Sequence, residues 1–228
     1  MKKSKDNAIK LPLPLEGGGG RLLLHACCAP CSSAIVEWLM ANGVRPTIFY
    51  YNPNIWPREE YEIRKQESKR HAESLGIEWI DGDYDHEGWR QAICGLENQP
   101  ERGARCEQCF ILRLTATARK AKELGITYFA TTLASSRWKS LEQINRAGEK
   151  AEALVNGEWS MVNGQWSMVN GQWSMVNRQS STVNVHFWAQ NWRKGGLQER
   201  RNQLLKEYSF YNQLYCGCEF SMPKEPKE

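Results

Sequence analysis

Short apolar runs alternate with longer stretches of helical periodicity along most of the chain. Residues 21–26 form an apolar run with the length of a buried strand. They lead through a cysteine-bearing turn into a helical stretch over about 32–40. Residues 46–51 read as a second strand and 52–56 as a loop. Pro57 suits the first turn of a helix running to about Leu75, in which Glu60 and Arg64 are spaced to pair. After Gly76, residues 77–80 read as a third strand and 87–93 as a helix. Phe110, Ile111, Leu114, Ala118, Ala121 and Leu124 then recur at helical spacing until Gly125 stops them. A fourth strand over 127–132, a helix over 141–154, a fifth strand over 185–189 and a last helix over 197–208 complete the pattern. This alternation predicts a single Rossmann-like, three-layer α/β domain, a mostly parallel sheet with helices on both faces. Functional loops are then expected at the carboxyl ends of the strands.

Three segments stand outside the alternation. Residues 1–20 are charged, punctuated by proline and end in four glycines, and read as a flexible tail. Residues 222–228 read as a second tail. Residues 157–184 are a tandem repeat of GEWSMVN, two copies of GQWSMVN and a degenerate RQSSTVN. A period of seven invites a coiled-coil reading, but glycine opens three of the four units, which opposes a stable helix. The repeat separates a helix from a strand that a short loop would ordinarily join. It therefore reads as an insertion into a catalytic domain spanning 21–221, a tryptophan platform for nucleic acid being the other reading.

Charge changes this picture little. The net charge is +4, from 30 basic and 26 acidic residues, so bulk electrostatics alone do not indicate nucleic acid. No stretch approaches the roughly 20 apolar residues of a membrane span. The basic N-terminus lacks the apolar region of a secretory signal, so a cytoplasmic location without a membrane partner is expected. Reduced thiols are expected there, which favours metal or redox use of the eight cysteines over structural disulfides.

The cysteines carry the chemistry. Cys27, Cys28 and Cys31 lie within LLLHACCAPC, and Cys106 and Cys109 within RCEQC. Two CxxC pairs would suffice for a closed zinc site, yet Cys27 adds a fifth thiol that such a site does not need. The first group also follows a strand and precedes a helix, whose N-terminus is expected to lower thiol pKa values. Cys216 and Cys218 form a CxC. A disulfide across so small a ring would be strained, and strained disulfides are labile or catalytic. Cys94 reads as a small buried residue. On these residues alone a metal-dependent enzyme, a zinc-stabilised RNA-binding module and a metal-free thiol–disulfide oxidoreductase all remain open.

Other candidates sit in loops. Tyr51, Asn52 and Asn54 end a strand, where they either meet substrate or shape an Asn-Pro turn. Arg193 and Lys194 precede two glycines that allow close backbone approach, which suits an RNA phosphate; Arg137 and Lys139 are similar but weaker, and Arg102 and Arg105 could flank the cysteines or touch RNA. Trp56 either stacks on an extruded base or packs, and His25 reads as a core residue.

Taken together, LLLHACCAPC, FYYNPNIWPREEYEIRK, RCEQCF, FATTLASS, NWRKGG and YCGC resemble the QueH-type epoxyqueuosine reductases, in order and over nearly all of 21–221. The resemblance implies an enzyme of the last step of queuosine synthesis. It would remove the epoxide oxygen from epoxyqueuosine at the wobble position of queuosine-type tRNA anticodons. It implies a 4Fe–4S cluster on Cys27, Cys28, Cys106 and Cys109, and a redox-active disulfide at Cys216 and Cys218. It also implies a separate mononuclear iron beside the cluster, with the position of Cys31 implicated; some members carry aspartate there. An unidentified electron donor completes the expected partners.

Overall fold

The computed structural model describes residues 9–11, 20–158, 167–169, 172–174 and 183–222 of the chain. Strand β1 (Leu22–His25) is buried along its whole length and pairs in parallel with β2 (Thr47–Tyr50) on one side and β4 (Tyr128–Thr131) on the other. Burial on both faces is why β1 reads Leu-Leu-Leu-His rather than alternating. Strand β3 (Trp79–Asp81) extends the sheet beyond β2 and β7 (His186–Phe187) extends it beyond β4. The order is therefore β3-β2-β1-β4-β7 with every pair parallel.

Helices α1 (Ala29–Ala41) and α2 (Arg58–Ser74) make the crossovers from β1 to β2 and from β2 to β3. The chain then returns past β1 through α3 (His86–Ala92) and α4 (Ala104–Glu123), and α5 (Leu141–Glu158) follows β4. Because parallel crossovers are right-handed, reversing the direction of travel along the sheet places α4 and α5 on the face opposite α1 and α2. The packing agrees: α1 lies against α2 and against α6 (Leu197–Glu207), while α4 lies against α5. The sheet with helices on both faces is thus present, and it is parallel throughout. The reversal falls between β1 and β4, and it is at such a switch point that open α/β sheets form their ligand crevice.

Pro57 caps α2 rather than opening it, and the predicted Glu60–Arg64 pair forms inside the protein, with Nε to Oε1 at 2.7 Å. Helix α5 runs on to Glu158, four residues beyond the predicted end. Within the repeat, β5 (Ser167–Val169) and β6 (Gln172–Ser174) pair antiparallel, a pattern the sevenfold period did not suggest. Asn156 exchanges two hydrogen bonds with Val185: Nδ2 donates to its carbonyl at 2.9 Å and Oδ1 accepts from its amide at 3.0 Å. The segment 157–184 therefore leaves and re-enters the fold at one place. Of the N-terminal segment, Ile9 and Leu11 pack against the main core; residues 1–8, 12–19 and 223–228 lie outside the described residues.

Candidate active site and metal centre

The carboxyl ends of β1 and β4 open into a cavity of about 720 Å³. Cys27, Cys28 and Cys31 form one wall, and their sulfur atoms all lie within 4.8 Å of one another. Local sequence explains this arrangement. Strand β1 ends at His25, the chain turns through Ala26 and Cys27, and Cys28 caps α1 with extended backbone (φ −174°). Pro30 sits in the first turn of α1, where its missing amide costs nothing. The Thr132 hydroxyl accepts from the Cys27 amide at 3.2 Å and donates to its sulfur at 3.5 Å.

Only one of these thiols has the depressed pKa expected at a helix start. Hydrogen bonds from Cys28 and then Cys31 hold the Cys27 thiol well below its ordinary value, with Lys139 and Arg113 adding positive charge. Burial pushes Cys28 up, and Cys31 rises to about 12, chiefly through its hydrogen bond to Cys27. Three thiols this close repel as anions, so one ionises at the expense of its neighbours. Such a trio is a donor set for a soft metal ion.

Cys106, on α4, lines the same cavity and accepts at its sulfur from the Arg102 amide at 3.3 Å. Cys109, one turn later, is buried in a small cluster with Trp89, Ile93 and Cys218, against which Cys216 also packs. Burial raises Cys106 and Cys109, and it raises Cys218 to about 12 with help from the charge of Cys216. Seven of the eight cysteines thus gather around one basin, five of them on its lining; Cys94 is exposed and elsewhere, against the expectation that it is buried.

The CxC is held from behind by α2. Arg64, paired with Glu60, donates to the carbonyls of Tyr215 and Cys216 at 3.3 Å each. The Trp56 amide donates to the Gly217 carbonyl at 2.8 Å, and Ile55 bridges antiparallel to Cys218. Gly217 has φ +100°, and a Cβ there would lie 2.9 Å from both Arg64 Nη1 and Ile55 Cγ1. Glycine at the centre of the CxC is therefore a packing requirement as well as a turn requirement.

Asn52 ties the site together from inside. Its Nδ2 donates to the Ala26 carbonyl at 2.9 Å, and its Oδ1 accepts from Arg113. Asn54 is buried on the cavity lining, and its Oδ1 has no partner. The Tyr51 ring stacks on Phe49, and its carbonyl accepts from His25 Nε2 at 3.0 Å. His25 Nδ1 faces the Thr131 hydroxyl at 2.8 Å; burial and Arg113 lower its pKa to about 3, which keeps the ring neutral. Arg193 lines the cavity, but its guanidinium donates to the carbonyls of Ser136 and Lys139, so both bonds are made within the protein. Lys194 lies outside the lining. The Trp56 ring stacks on His86 with centroids 5.0 Å apart and stays 42 % exposed.

Arg113 and Arg64 line the basin in addition to the residues expected there, and Lys139, a candidate for an RNA phosphate, lines it too. Burial alone would depress the Lys139 ammonium, but Cys216, Cys27 and Cys31 outweigh it and raise its pKa. The signal for Arg113 was available: it follows Cys106 by seven and Cys109 by four, the spacing of one helix face. Among the described residues the lining carries seven cationic side chains and one carboxylate, Glu101, a bias that the overall charge of +4 conceals.

The family model for epoxyqueuosine reductase QueH matches residues 22–171 and 168–224. The chain is 41 % identical over 214 residues to the epoxyqueuosine reductase QueH of Acinetobacter baylyi, covering 94 % of this chain and 85 % of that one. It is 39 % identical over 221 residues to the protein of the same name from Histophilus somni, covering 97 % and 80 %. To that of Haemophilus influenzae it is 39 % identical over 214 residues, covering 94 % and 76 %. With the thiols placed at the switch point of a parallel sheet and these matches running the length of the fold, the chain belongs to the epoxyqueuosine reductase QueH family.

Proposed function

We propose that the chain reduces epoxyqueuosine to queuosine in tRNA. The observation that carries this reading is the gathering of Cys27, Cys28, Cys31, Cys106 and Cys216, from three distant segments, on one cationic cavity. Its volume of about 720 Å³ lies in the range of small-molecule sites and suits a single extruded nucleoside. The excess of arginine and lysine on the lining suits the phosphates on either side of it. RNA is the substrate class, and the cytoplasm is the compartment where reduced thiols and tRNA meet. Among the described residues no helix is long and apolar enough to cross a membrane.

The donor set fits a soft metal group: three thiol sulfurs converge, and a fourth, Cys106, shares their cavity. Cys27, Cys28, Cys106 and Cys109 would hold a 4Fe–4S cluster, with Cys31 beside it for a separate iron. Such a group, when bound, supplies electrons singly and polarises the epoxide oxygen. The chain's own residues do the rest. Lys139 and Arg113 hold positive charge beside the thiolates, and Asn54 Oδ1 offers an acceptor to the bound nucleoside. Removing an epoxide oxygen takes two electrons and two protons and releases one water. Oxidation of the Cys216–Cys218 dithiol to a disulfide releases two electrons and two protons, so the equation balances. A separate electron donor then restores the dithiol.

Anaerobically purified protein should be brown and carry several irons per chain. Incubated with epoxyqueuosine-containing tRNA and a strong reductant, it should yield queuosine in the digested nucleosides. A colourless protein with one zinc that leaves the epoxide intact overturns the proposal.

A further inference from the structure

The loop after β4 carries an exposed tryptophan on an unusually well-held backbone. Five successive carbonyls, Ser135 to Lys139, each accept from a side chain outside the loop. Gln198 Nε2 takes Ser135 at 3.2 Å, and Arg193 takes Ser136 and, at 2.7 Å, Lys139. Arg102 takes Arg137 through Nη2 at 3.2 Å and Trp138 through Nε at 2.7 Å. Arg102 is itself fixed: its backbone has φ +64°, its amide donates to Cys106 Sγ at 3.3 Å, and its carbonyl accepts from Gln143 at 2.7 Å. A non-glycine residue kept in the left-handed region is strain that the surrounding contacts must hold in place. The same arginine therefore links a candidate metal ligand to this loop.

Two side chains leave the clamp in different senses. Lys139 goes inward, its charge felt by Cys216, Cys27 and Cys31. Trp138 is 69 % exposed, with the Arg137 guanidinium 5.5 Å from its ring centroid, and both line the cavity. Arg137 and Arg201, also on the lining, have no ion pair among the described residues. An exposed indole on a firmly held backbone at the edge of a cationic cavity, with a guanidinium over its face, has the chemistry of a base-stacking platform. Stacking tolerates any base, and a pre-set backbone lowers the ordering cost of binding.

We propose that Trp138 stacks on a nucleobase next to the nucleotide that enters the cavity, and that Arg102 and Arg193 are the residues that position it. This rests on the reading that the substrate is RNA. The test is anisotropy of a fluorescently labelled, unmodified tRNA anticodon stem-loop titrated with the full chain at several salt concentrations. Trp138→Ala should weaken binding about tenfold or more, the scale of one base–aromatic stack, and Trp138→Phe should restore most of it. The slope of log Kd against log salt should stay unchanged in Trp138→Ala, whereas Arg137→Ala should lower it by about one. Metal content and melting temperature should not move, because the clamp holds backbone carbonyls and the ring is exposed. Wild-type binding that Trp138→Ala leaves intact overturns the platform while sparing the RNA reading. No binding by the wild type overturns both.

Discussion

At the scale of single residues, the site is built from groups whose environments oppose their intrinsic chemistry. Cys27 is the easily ionised thiol of its trio because its neighbours donate to it, while Cys28 and Cys31 are correspondingly harder to ionise. His25 is kept neutral by burial between a carbonyl and a hydroxyl. Gly217 gives the cleanest residue-level test, because φ +100° and two contacts at 2.9 Å both exclude a side chain. Gly217→Ala should destabilise the chain by about 1–2 kcal/mol from backbone strain alone, with crowding against Ile55 adding to it. Gly125→Ala, at φ +65° with nothing within 4 Å of the added Cβ, should show only the strain. Urea unfolding of the two variants measures the difference; equal losses would mean that Ile55 and Arg64 do not confine the CxC. Among the residues, the cysteines were legible because thiols are rare and their spacing is short. Asn52 was legible only as a strand-end residue that either meets substrate or shapes a turn, and Arg113 only through its helical spacing from Cys106 and Cys109. Only the fold brings Arg113, Asn52 and the Ala26 carbonyl together.

Among the elements, what the sequence announced was the alternation, and the order of strands and helices follows it within a few residues. Gly76 and Gly125 closed α2 and α4 near where their left-handed conformations do, at φ +63° and +65°. Less legible was anything that depends on contacts between distant elements. Strand β7 shrinks to His186–Phe187, within the predicted 185–189, because it only edges the sheet. The antiparallel pair in the repeat was obscured by a period of seven, although Asn-Gly dipeptides at the unit junctions are hairpin signals. The docking of the C-terminal segment on α2 offers a pH test. His71 of α2 is buried edge-on against Tyr208 and Phe210, with centroids 5.0 and 5.2 Å away. Burial lowers its pKa; Arg70 acts in the same direction and Glu37 opposes it. The unfolded chain therefore takes up the proton first as pH falls below about 6.5. The stability from a neutral His71 is complete above that value and is lost as pH drops toward the lowered folded one. His71→Phe should flatten this part of the urea midpoint against pH; an unchanged slope would show that His71 titrates as freely folded as unfolded.

For the whole molecule, the chain places three distant cysteine segments around a cavity at the one point where the sheet reverses its order. Asn156 and Val185 bond to each other across the repeat, so its ends already meet. Deleting 157–177, three of four units, should leave iron content and turnover unchanged. It should also raise stability by about 1 kcal/mol, the closure entropy of shortening a loop twice by half. Loss of RNA binding on this deletion would make the tryptophans of the repeat part of the substrate site. The central claim concerns turnover, and nucleoside mass spectrometry of tRNA treated anaerobically by iron-loaded protein tests it most directly. One queuosine should form for each epoxyqueuosine lost with the wild type and none with Cys106→Ala, whereas persistence of the epoxide before a fully iron-loaded wild type would contradict the account.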